Sequence, residues 1–156
     1  MPVESAPTWT NPLVGMLALI SATHAAYGPE SLHIMSEGMK LLGRRTGQSM
    51  LEHGLIAAGC SPAEWGRFTH QLMDLTGMHT YYETAATEAV YEFVVPSAAW
   101  PYHDPQAYLD SPPEWCEIQA DWDRGCLQTI NPQIAMTQPK CSARGDDECL
   151  WRYELV

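Results

Sequence analysis

Partway along the chain the period of the apolar residues changes, and that change limits the fold more than any motif does. Up to Gly77 they recur at steps of three and four. From Thr87 they recur at every second position. In residues 31–59, Leu32, Met35, Met39, Leu42, Thr46 and Met50 mark one face of a helix. Gly38, Gly43, Gly47 and Gly54 interrupt it. Each costs helix propensity, so they predict either close packing or a break near Gly43. A shorter helix fits residues 13–26, ended by Gly28-Pro29. A third opens at Ser61, with Pro62 in the first turn and Glu64 completing a capping box. Its stripe is Trp65, Phe68, Leu72 and Leu75, and Gly77 stops it.

The two-residue period then sets in. In "TEAVYEFVVPSA", Ala89, Tyr91, Phe93 and Val95 face one way, which predicts a strand ended by Pro96. "AAWPYHDP" follows as an aromatic loop, and Trp100, Tyr102 and His103 on it are candidates for a pocket wall. Ser111, Pro112 and Glu114 open another helix, striped by Trp115, Ile118, Trp122 and Cys126. "QIAMTQ" reads as a strand, "ARGDDE" as a hairpin turn, and Cys149, Trp151, Tyr153 and Leu155 as one face of a last strand. Helices and strands are segregated, so the expected class is α+β, helices packed on a small antiparallel sheet that ends in a C-terminal hairpin. Residues 1–11 read as a flexible arm and 12–156 as a single domain.

Bulk composition excludes several functions. A chain of 156 residues buries roughly 70% of its unfolded surface without staples. A net charge of −11 with only eight basic residues argues against nucleic acid and against an anionic membrane. "LVGMLALISATHAA" has the length and small-residue end of a signal peptide. The residues before it hold no Lys or Arg and carry Glu4, so the basic n-region is missing. The same run is too short to span a bilayer. Five cysteines, an odd number, do not make a disulfide framework, and a reducing cytoplasm is the expected compartment.

The thiols admit several readings. Free cysteine is often a small buried hydrophobe, and Cys60 and Cys126 lie on apolar stretches. Zinc favours thiolates, yet no CxxC pair is present. Cys116 is a candidate nucleophile, since a helix N-terminus lowers a thiol's pKa. Cys126 points about 80° away from it at 100° per residue. A Cys141–Cys149 disulfide across the hairpin needs an oxidising compartment. No Walker loop, GxGxxG, GxSxG or HExxH is present, which removes phosphoryl and hydride transfer.

Residues 115–155, "WCEIQADWDRGCLQTINPQIAMTQPKCSARGDDECLWRYEL", resemble the closing segment of the L-2-amino-thiazoline-4-carboxylate hydrolase-like family. The matching positions are Cys116, Asp121, Asn131-Pro132, and Gly145-Asp146 with Cys149. The same ending is similar to vinyl-reductase-type small-molecule-binding domains. Some of these hold zinc with a cysteine, a glutamate and two further cysteines. Cys116, Cys141 and Cys149 match the cysteines, whereas the glutamate falls at Gln138, a poor zinc ligand.

The hydrolase resemblance implies water addition at a ring carbon and opening of a C–N bond, in an enclosed apolar pocket. Cys116 would be nucleophile or pocket wall, with Asp121 beside it. His79 and His103 are the loop histidines suited to shuttling a proton. Arg45 is a candidate clamp for a substrate carboxylate, and Trp100, Tyr102, His103 and Trp122 are candidate substrate contacts. No cofactor is expected, with zinc as the alternative. The second resemblance implies a sensor or carrier that binds a hydrophobic ligand without transforming it. A small molecule is the expected partner either way, and a homodimer is a candidate assembly.

Overall fold

The computed structural model describes residues 12–75, 81–96 and 114–156, with side chains from residue 18 onward in the first helix. The 1–11 arm, His79, the aromatic loop with Trp100, Tyr102 and His103, the Ser111 cap and the Gly77 stop lie outside the described residues. Four helices are described: α1 Pro12–Tyr27, α2 Glu30–Glu52, α3 Pro62–Leu75 and α4 Trp115–Ile130. Four strands, β1 Tyr82–Ala86, β2 Val90–Pro96, β3 Ile134–Lys140 and β4 Glu148–Leu155, form one antiparallel sheet in the order β1-β2-β4-β3. The fold is α+β. Among the described residues no helix is long and apolar enough to cross a membrane.

Helix α2 is unbroken through Gly43 and ends seven residues earlier than the periodicity predicts. Gly54 takes φ +65°, which lets the Leu55 and Gly54 N–H groups donate back to the Met50 and Leu51 carbonyls at 2.9 and 3.1 Å. That is a Schellman termination. Of the two readings of the glycines, close packing is the one observed. A Cβ on Gly43 would stand 2.1 Å from the Trp122 carbonyl oxygen, and one on Gly125 would stand 2.2 Å from that of Lys40. Backbone therefore meets backbone where α2 crosses α4. The buried face of α2 runs through Leu32, Gly43, Gly47 and Met50, while Leu42 is half exposed, so the predicted stripe was turned slightly off the true one.

The capping box of α3 forms as predicted. Ser61 N–H donates to Glu64 Oε2 at 2.7 Å, and Glu64 N–H donates to Ser61 Oγ at 3.2 Å. Alternation in β2 and β4 also holds. Tyr91, Phe93 and Val95 are buried opposite Tyr153, Trp151 and Cys149, and the Phe93 and Trp151 rings stack 6.1 Å apart. The strand β1 went unread because its residues are mostly exposed at a sheet edge and carry no apolar alternation.

Candidate functional site

Two places in the fold gather chemistry. The first is the C-terminal thiol cluster. Cys116 sits in the first turn of α4, Cys141 just past β3, and Cys149 on the inward face of β4. All three are free and buried, and their thiols hydrogen-bond one another. The turn between the strands supports them. Cys141 N–H donates to Asp146 Oδ2 at 2.7 Å, and Ser142 N–H donates to Cys149 Sγ at 3.3 Å. Gly145, at φ +98°, makes that turn possible.

The cluster divides its acidity unevenly. Hydrogen bonds from Cys116, then Cys141, lower the Cys149 thiol, against the opposing effect of burial. Cys116 moves the other way, raised by its bonds to Cys141 and Cys149 and by burial. The expectation that its helix N-terminus makes Cys116 acidic is therefore corrected. It is 1% exposed and donates to its neighbours, so a free thiolate is unavailable at that position. The donors have zinc chemistry, but they are bonded to each other. Among the described residues no group of three or more His, Cys, Asp or Glu stands arranged to hold a metal ion. Gln138, three residues before Cys141, is buried with both side-chain polar atoms unpartnered.

Asp121 is buried too, but its partners are Ser36 and Lys40 on α2 and Arg124 one turn along its own helix. Ser36 Oγ and Arg124 Nη1 donate to it, the latter at 2.9 Å, and Lys40 Nζ is 3.9 Å away. It is a tie between α2 and α4, not a neighbour of the thiols. Trp122 is half-buried, with its ring 6.5 Å from Trp65. Arg45 is exposed on α2. The candidate residues within the described regions are thus brought together only as the thiol trio.

The second place is a groove that sequence reasoning missed. It has a volume of about 360 Å³ and lies between the 53–60 turn and α3. Leu55, Ile56, Ala57 and Phe68 give it apolar walls, Cys60 lies buried within it, and Glu64, Arg67 and Gln71 are its exposed polar residues. Asn131 holds this turn in place. Its Nδ2 donates to the Cys60 carbonyl at 2.9 Å, while Gly59 N–H donates to the Ile130 carbonyl at 2.9 Å. Burial raises the Cys60 thiol to about 11, and Glu64 adds to the shift, so it is protonated at neutral pH. The signal available in sequence was "GLIAAGC", an apolar run too short and glycine-bounded to continue a helix.

His70, deeper in α3, is packed in an aromatic box. Its ring centroid is 3.9 Å from that of Tyr81 and 4.6 Å from that of Phe93, and its Nδ1 is 3.0 Å from the Tyr91 hydroxyl. Nε2 is buried without a partner, and burial lowers the imidazole's pKa.

The fold is thus an α+β domain with an open groove against α3 and, separately, a thiol-braced C-terminal hairpin. No family model matches the chain, and no curated protein matches it. Among solved structures the chain is similar to a trafficking protein particle complex subunit 3 from Naegleria fowleri covalently bound to palmitic acid. The TM-score is 0.54 and the identity 13%, over 94% of this chain and 95% of that one. At that identity the likeness is one of fold.

Proposed function

We propose that the chain is a binding module that holds an apolar ligand with an acidic head group and does not transform it. The observation that carries this is the groove: exposed Leu55 and half-buried Ile56 and Phe68 beside the rim cation Arg67. Solvent-facing apolar side chains around a concave space are an unpaid desolvation that a ligand removes. The acyl chain named for the structural neighbour has this chemistry. Against hydrolysis of a C–N bond, the proposed nucleophile Cys116 is sealed and kept protonated by its neighbours.

The test is displacement of a fluorescent fatty acid by palmitate. We expect saturable binding that Ala57→Trp abolishes by filling the groove. Arg67→Glu should weaken it about tenfold, the scale of one charge-assisted hydrogen bond. Undiminished binding in Ala57→Trp, or none in the parent chain, sinks the reading.

A second reading keeps the zinc alternative that the thiol trio raises, with the metal replacing the hydrogen bonds among the thiols. In it the same module carries a structural zinc on Cys116, Cys141 and Cys149, each giving up its proton on binding. Native mass spectrometry decides it. One chelator-removable zinc supports the site, whereas a metal-free mass with five titratable thiols refutes it.

A further inference from the structure

The outer face of α2 does not behave like a solvated helix face. At 100° per residue, Glu30, Ile34, Gly38, Leu41 and Arg45 fall within an arc of about 80°. That arc lies opposite buried Leu32, Gly43, Gly47 and Met50. Ile34 is 67% exposed and Leu41 43%, with Leu42 beside them at 51%. Gly38, midway along the stripe and at one edge of the arc, has nothing among the described residues within 4 Å of where its Cβ would stand. Gly43, Gly47 and Gly125 are accounted for by backbone contacts, but Gly38 costs the helix about 1 kcal/mol relative to Ala with no packing among the described residues to explain it. Among the described residues neither Glu30 nor Arg45 forms an ion pair.

We infer that this face docks a second copy of the chain, α2 against α2 in antiparallel array, with the two-fold axis at Gly38. The residue numbers carry the inference. An antiparallel pairing about residue 38 sets Ile34 over Leu42 of the other copy, and Glu30 within one position of the other copy's Arg45. Apolar meets apolar and acid meets base, twice each, as an isologous contact requires. The open space over Gly38 admits close approach of the two backbones at the axis. A chain of net charge −11 repels its own copy over most of its surface. On this face the cation of one copy meets the anion of the other. A helix of 23 residues presents a stripe about 35 Å long. At a helix width of about 10 Å the stripe covers about 350 Å², below the roughly 800 Å² per partner of standard interfaces, so the dimer exchanges readily with monomer.

Sedimentation equilibrium over about 1–200 µM reads it, in the concentration range of modest interfaces. The weight-average mass should climb from 17.4 kDa toward twice that value. Arg45→Glu and Glu30→Arg should each weaken self-association at least tenfold, and the double variant should restore it. Ile34→Glu should abolish it, with the circular dichroism melt unchanged because the residue is exposed. The five native thiols are buried, so Gly38→Cys should give an oxidised dimer on a non-reducing gel. Gln48→Cys, whose two copies would stand about 30 Å apart, should not. A monomer at 200 µM overturns the inference. So does a dimer indifferent to Ile34→Glu, or one that the charge swap fails to restore.

Discussion

Asp123 shows how a single buried group sets a property of the whole chain. Its carboxyl is buried on α4, with Oδ1 unpartnered. Burial raises its pKa to about 7, against the lowering influence of Arg124 and of the Tyr153 hydroxyl. The folded pKa stands above the unfolded value of 3.8, so folding takes up a proton. Its contribution to stability is fullest below about pH 4 and is lost as pH rises through the window to about 7. We expect the melting temperature of the parent to fall between pH 5 and pH 8 relative to that of Asp123→Asn. At pH 8 the variant should be the more stable of the two by a few kcal/mol. Parallel thermal melts across that range check it, and curves that never diverge would contradict it. At this same scale the sequence misleads: nothing in it marks Asp123, and Asp121 reads as a neighbour of Cys116. Only the crossing of α2 over α4 and the packing of β4 beneath them bury the pair, and neither event leaves a local signature.

Among the elements, the α2–α4 crossing is the most demanding contact. A methyl group at Gly43 meets backbone oxygen on α4, which cannot turn aside as a side chain could. Gly43→Ala should therefore cost about 3 kcal/mol through overpacking, despite the gain in helix propensity. That lowers the melting temperature by about 6–12 °C for a chain of this size. Gly38→Ala, on the open face of the same helix, is the matched control and should not destabilise the monomer. The elements were legible where local chemistry decides them. The capping box of Ser61 and Glu64 and the alternation of β2 and β4 are written in neighbouring residues. The end of α2 was misplaced because apolar residues continue past the Schellman turn at Gly54. Its stripe was misjudged because glycines, which carry no hydrophobicity, make up much of the buried face. The strand β1 has only edge pairing to define it.

On the scale of the molecule, it was the resemblance to zinc-holding vinyl-reductase-type domains, not a spacing in the chain, that grouped Cys116 at the first turn of α4 with Cys141 and Cys149 of the C-terminal hairpin. The groove was not foreseeable in that way. It is built by Asn131 reaching back to Cys60, a contact across seventy-one positions that no short-range pattern encodes. The thiol trio and the groove therefore stand on different footings: one is a motif, the other a product of tertiary geometry.

The strand order β1-β2-β4-β3 places β4 between two strands made before it. During synthesis β2 and β3 have no direct partner in each other, and the helices have only part of the surface they later cover. The sheet can close only after residue 148 and those following it have emerged, some seconds after β2 at ordinary elongation rates. Until then the inward faces of β2 and β3 lie open, and a nascent chain has to be protected from wrong pairing along those edges. The late strand that organises the finished sheet is also the one whose delay exposes the unfinished one.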